Sequence, residues 1–182
     1  MLKQFYFSSQ RNKRSSTSVP SDIAIVHGHF AANRFDTMLP DAIRTVVIRD
    51  PLRRMHSQYD HWRRAKGRNQ WRVIIPYDPA MTFEDYAMLP AMRNYQVNAL
   101  AGRELASFSL VGVTERLDAY TQALYAFFSA ENHVSSKTPP TGVKNLNKRK
   151  KNHTITNDFE KAFYAYHKDD YDLYEQAKKI AA

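Results

Sequence analysis

The sequence predicts an α/β domain with a mainly parallel sheet flanked by helices. Three observations carry this. Ile23-Ala24-Ile25-Val26 and Thr45-Val46-Val47-Ile48 are continuous apolar runs, β-branched and bounded by polar residues, as in strands covered on both faces. Asp50-Pro51, directly after the second run, is a cap followed by proline at a first helical position. Further strand and helix patterns then alternate to the C-terminus.

Taken in order, residues 8–21 are polar, basic and serine-rich and read as a loop or mobile arm. The Ile23–Val26 strand stops at His27-Gly28-His29. After the Thr45–Ile48 strand, Leu52, Met55, Tyr59 and Trp62 recur at helical spacing, with Arg53, Arg54, Arg63 and Arg64 expected on the other side. Thr82 to Leu89 reads as a short helix with Thr82 as cap and Asp85 as its reciprocal acid. Asn94 to Ala101 reads as another, and Phe108 to Val113 as a third strand. Glu115 to Ala130 is amphipathic, with Leu117, Tyr120, Leu124, Phe127 and Phe128 on one face. Residues 132–153 form a long basic loop containing Pro139-Pro140 and Lys148-Arg149-Lys150-Lys151. Asn157 with Glu160 reads as a capping box. It would open one C-terminal helix with Phe159, Phe163, Tyr166, Leu173 and Ala177 inward.

The length, 182 residues, suits a single domain, expected to span 1–182. The chain has no cysteine, which excludes disulfides, thiol nucleophiles and Cys-ligated metals. No apolar run is long enough for a membrane span and the N-terminus is too quickly polar for a secretory signal, so the cytoplasm is the expected compartment. Membrane association would require a segment upstream. The net charge of +9 points to an anionic partner, with solubility alone as the competing explanation. The five glycines, Gly28, Gly67, Gly102, Gly112 and Gly142, form no glycine-rich phosphate loop.

The most specific segment is Val46-Val47-Ile48-Arg49-Asp50-Pro51-Leu52-Arg53-Arg54-Met55-His56-Ser57-Gln58-Tyr59. An arginine at the carboxyl end of a buried strand is aimed at the crevice where open α/β sheets bind ligands. The helix after it presents free N–H groups and its positive dipole end, and Ser57 adds a hydroxyl about two turns on. Arg49 and Ser57 are therefore a candidate phosphate clamp. The alternative is that Arg49 pairs with Asp50 or another carboxylate at the strand end.

This segment resembles the 3′-phosphate-binding motif of sulfotransferases that use 3′-phosphoadenosine 5′-phosphosulfate (PAPS). Val26-His27-Gly28-His29-Phe30 and Leu110-Val111-Gly112-Val113-Thr114-Glu115-Arg116-Leu117 resemble, in the same order, segments of the carbohydrate sulfotransferases related to heparan sulfate and uronyl O-sulfotransferases. The resemblance spans residues 22–182. It implies a P-loop-like sulfotransferase fold and transfer of a sulfuryl group from PAPS to a hydroxyl, with a carbohydrate as the expected acceptor. It implies that Arg49 and Ser57 hold the 3′-phosphate, with Lys148 and Arg149 contributing from the basic loop. It makes His29 the general base, with His27 orienting it. A neutral imidazole suits that task near neutral pH; a hydrogen-bonded loop histidine is the alternative. Asn94 and Gln96 match amides that could bind a sugar, and ordinary helix surface is the competing explanation. No third ligand accompanies the His-x-His pair, so no metal is expected.

The chain departs from the family in one respect. The strand and the Pro-Lys-x-Gly-Thr-like loop that cradle the 5′-phosphosulfate are not found, and Met1 falls about where the helix after that loop would end. The expectation is a domain without its first strand and phosphate loop. Two alternatives follow: a non-catalytic protein of this type that binds a nucleotide or anionic glycan, and a basic nucleic-acid-binding protein. The last lacks any recognisable nucleic-acid motif, so no nucleic-acid partner is expected. The sequence leaves oligomeric state open.

Overall fold

The computed structural model describes residues 4–8, 23–66, 75–130 and 154–181. Within them the chain is mixed α/β, with two short parallel sheets of two strands each. Strand β1 (Gln4–Ser8) pairs with β2 (Ile23–Gly28), ending at Ser8 opposite Gly28. Strand β3 (Thr45–Ile48) pairs with β4 (Leu110–Val113), from Thr45 opposite Leu110 to Ile48 opposite Val113. β1 was not anticipated: its five residues are too few to show a period. Of the expected arm at 8–21, Ser8 belongs to β1 and the rest lies outside the described residues, as does the basic loop at 132–153.

Helix α1 (Pro51–Arg64) starts where expected. The Asp50 carboxylate accepts the Arg53 N–H at 2.7 Å and Pro51 occupies the first turn. Met55, Tyr59 and Trp62 are buried. Arg54 departs from the expected solvent side: its guanidinium lies 4.0 Å from the centre of the Tyr95 ring and donates to Gln58 Oε1 at 2.6 Å. Helix α2 (Phe83–Ala87) carries the expected capping box, Thr82 Oγ1 accepting the Asp85 N–H while Asp85 accepts the Thr82 N–H, both at 3.1 Å. Helix α3 (Tyr95–Leu100) follows Asn94, whose backbone is left-handed at φ 46°. Asparagine tolerates that region better than most residues.

β4 runs through the turn Thr114–Arg116 into α4 (Leu117–Ala130), and Tyr120 is the buried residue of the expected apolar face. The C-terminal segment differs from the single helix expected. Helix α5 (Asn157–Tyr166) and helix α6 (Lys168–Ile180) are separate and meet at His167. The cap of α5 is Thr156, which accepts the Phe159 N–H at 3.1 Å, and not Asn157. Starting one residue earlier still turns Phe159 onto the core.

Two apolar clusters form the core. One joins Met55, Tyr59 and Trp62 of α1 to Phe83 and Tyr86 of α2 and Phe163 of α5. Its polar handles are satisfied, with Tyr59 O–H donating to Met81 O at 2.8 Å and Trp62 Nε1–H to Ile75 O at 3.1 Å. The other joins Ile48 of β3, Val111 and Val113 of β4 and Leu173, Tyr174 and Ala177 of α6. The α5–α6 pair therefore contributes to both. Among the described residues no helix is long and apolar enough to cross a membrane.

Candidate functional site

The site is built at the carboxyl end of β3. Because β3 and β4 run parallel with Ile48 opposite Val113, the chain leaves both strands at the same edge, as Arg49-Asp50 and as Thr114-Glu115. Asp50 is committed to capping α1 and does not pair with Arg49. Among the described residues the Arg49 guanidinium has no hydrogen-bond or ion-pair partner. Ser57, on the exposed side of α1, likewise makes no side-chain hydrogen bond among them. Both remain available to a ligand.

The Arg49 main chain, by contrast, is held on both sides. Its N–H donates to Gln96 Oε1 at 3.0 Å and its carbonyl accepts from Gln96 Nε2 at 2.8 Å. Gln96 is buried, so its carboxamide continues the ladder where pairing with β4 has ended. Helix α3 is anchored in turn by Asp170 of α6, whose carboxylate accepts the Gln96 N–H at 3.2 Å and the Val97 N–H at 2.9 Å. Burial raises the Asp170 carboxyl above its ordinary range, and those two N–H groups and the Arg54 guanidinium oppose the rise.

Asn94 is also buried. Its N–H donates to His167 Nδ1 at 3.3 Å and its side-chain amide donates to Asp169 Oδ2 at 2.6 Å. His167 Nδ1 is thus an acceptor and Nε2–H the donor to Ala87 O at 3.0 Å. Burial lowers the His167 pKa. Both amides singled out from the sequence are therefore engaged in the fold, Gln96 with Arg49 and Asn94 with the α5–α6 junction.

His27 lies in β2, paired with Phe7, and His29 is exposed one residue beyond the end of that strand. The segment that follows is docked by Ala32 N–H to Ala99 O at 2.9 Å, at the far end of the helix that carries Gln96. Asp36 ties it further, pairing with Arg44 at 3.0 Å and with Arg103. Those two arginines hold the Asp36 carboxyl below its usual range, Arg103 most strongly. The structure thus brings together Arg49, Gln96 and the α1 helix bearing Ser57. Lys148 and Arg149 lie outside the described residues. Beside the clamp, Tyr174 faces Glu115 and Arg53; burial first, then Glu115, push its hydroxyl up to about 12. Among the described residues no group of three or more His, Asp or Glu side chains is placed to hold a metal ion.

Asp170 and His167 carry this arrangement and were not singled out from the sequence. Asp170 reads locally as an ordinary first-turn acid of a helix, and His167 as one more inward position of a continuous one. Their partners are more than 70 positions away, at Asn94, Gln96 and Val97, so no local spacing reveals them. No protein-family model, curated protein or solved structure matches the chain.

Proposed function

We propose that this chain is a sulfotransferase domain of the P-loop-like type that takes PAPS as donor and a carbohydrate hydroxyl as acceptor. Its nucleotide 3′-phosphate is held by Arg49 and Ser57. The observation that carries the proposal is the Arg49 guanidinium: it has no partner among the described residues, at the carboxyl end of a parallel strand, on a main chain fixed from both sides. A guanidinium fork and a hydroxyl fit a phosphate dianion, and the neighbouring acid, Asp50, is already used by the Arg53 N–H.

When bound, PAPS supplies an activated sulfuryl group. The chain's own residues bind and move a proton. Arg49 and Ser57 fix the nucleotide by its 3′ end, and Lys148 and Arg149 add positive charge from the basic loop. His29 would accept the acceptor hydroxyl's proton on a ring nitrogen as that oxygen bonds to sulfur and the bond from sulfur to the nucleotide's 5′-phosphate oxygen breaks, releasing adenosine 3′,5′-bisphosphate. Gln96 and Asn94 serve the scaffold of the site.

A second reading, nucleotide or anionic-glycan binding without transfer, is favoured by one observation. None of the five glycines lies in a phosphate-cradling loop, whose donors are a large part of transition-state stabilisation. Calorimetric titration with adenosine 3′,5′-bisphosphate tests what both share. Arg49→Ala is expected to weaken binding about 10- to 100-fold, the loss of one charge-assisted clamp. Equal affinity in the two proteins removes Arg49 from the site. Turnover with PAPS and a glycan panel separates the readings, since only the first predicts a sulfated product.

A further inference from the structure

We infer that Gln96 is a positioning residue for Arg49, aiming its guanidinium at the nucleotide through the main chain, and that Asp170 of α6 holds Gln96 in place. This rests on the nucleotide-binding reading above. A primary carboxamide is the side chain that can both accept from one residue's N–H and donate to its carbonyl. Gln96 does both to Arg49, at 3.0 and 2.8 Å. The pairing restrains the backbone torsions on either side of the Arg49 Cα and therefore the direction of its Cα–Cβ bond. It acts one residue past the last β3–β4 pair, where the ladder no longer holds the chain.

Gln96 is itself restrained. It is 6% exposed, and its N–H and that of Val97 are both accepted by Asp170, which is 3% exposed. The line from α6 through the first turn of α3 to Arg49 is therefore continuous and hydrogen-bonded at each step, with the Asp170 and Gln96 side chains buried. A guanidinium clamp is sensitive to this because its fork must meet two phosphate oxygens in one plane, whereas an ammonium is a point charge with no such demand.

That difference supplies the test, a double-mutant cycle on adenosine 3′,5′-bisphosphate affinity by calorimetry with the full 182-residue chain. Gln96→Met keeps length and helix propensity while removing both hydrogen bonds. Against Arg49 it is expected to weaken binding on the order of tenfold, and against Arg49→Lys by less than about threefold, because the lysine does not need the aim. An equal effect in both backgrounds, or none against Arg49, overturns the positioning role while the clamp stands. Equal affinity of wild type and Arg49→Lys overturns the forked clamp, and positioning falls with it. Circular dichroism accompanies each variant. If Gln96→Met is unfolded, Gln96→Glu, which keeps the acceptor for the Arg49 N–H, carries the same cycle with the same two outcomes.

Discussion

Asp170 accepts two backbone N–H groups and faces a buried arginine, all in a region where its own carboxyl is pushed toward the neutral form. Its removal leaves the Gln96 and Val97 N–H groups without their acceptor and takes a negative charge from near Arg54, which keeps its bond to Gln58. Asp170→Ala is therefore expected to destabilise the chain by about 2–6 kcal/mol, roughly 1–3 kcal/mol for each donor left unpaired. Asp170→Asn, which keeps one acceptor oxygen, is expected to cost less. Urea denaturation measures both, and a cost for Asp170→Ala equal to that of an exposed acid such as Glu84 would show the carboxylate to be dispensable. At this scale the sequence was partly legible. Arg49, Ser57 and the capping role of Asp50 follow from one unbroken segment, and the structure leaves the first two available to a ligand. Gln96 was read as an amide that could bind a sugar, or as ordinary helix surface; it is buried, and its partner lies 47 positions away.

Elements were legible where their signals are local and chemical. The Asp50-Pro51 start of α1 and the Thr82/Asp85 box of α2 fall where the side-chain chemistry put them. Thr82→Ala is expected to cost about 1 kcal/mol, read as a shift in denaturation midpoint. At α5 the same logic pointed to Asn157, one residue past the observed cap, Thr156. Thr and Asn are both good caps, so residue type alone does not separate adjacent candidates. The break at His167 was illegible for a similar reason: the apolar period runs on through it, and the helix stops because the imidazole is needed between α2 and α3. Gly112 gains a packing reason that its motif did not supply. A Cβ there would overlap the Cδ2 and Cγ atoms of Tyr120, so the absent side chain is what lets α4 lie on β4. Gly112→Ala is expected to cost about 1–3 kcal/mol by overpacking. Combined with Tyr120→Ala, thermal denaturation should show less than the sum of the two losses, because the second change removes the ring that the new methyl strikes. Strict additivity would mean that the two residues do not meet.

Across the whole molecule, the α5–α6 pair contributes to both apolar clusters and is pinned at its junction by His167, so the protonation of one imidazole bears on the entire fold. His167 is 0% exposed. Its Nδ1 accepts the Asn94 N–H, its Nε2–H donates to Ala87 O, and the Phe163 and Tyr166 rings lie beside it. Burial is the main reason its pKa lies below 6.5; the Arg93 charge adds to the lowering and the Ala87 carbonyl opposes it. Protonation would set an N–H on Nδ1 against the Asn94 N–H. The unfolded chain, with an ordinary imidazole near 6.5, takes up that proton first, so stability is full above that pH and falls as the pH drops below it. His61, lowered by burial and by Arg64, adds to the slope with the same sign. Asp170 acts in the opposite sense: its raised pKa makes the folded state the better proton acceptor from about pH 3.8 upward, so its contribution grows as pH falls and partly offsets the histidines at the acid end. The expected result is a urea midpoint that is level near pH 7.5 and declines from about pH 6.5 downward, at no more than about 1.4 kcal/mol per pH unit for each histidine. His167→Gln can accept from Asn94 and donate to Ala87 without titrating. It should remove the His167 share of that decline and leave the His61 share. A decline of equal steepness in wild type and His167→Gln would place the responsible proton elsewhere.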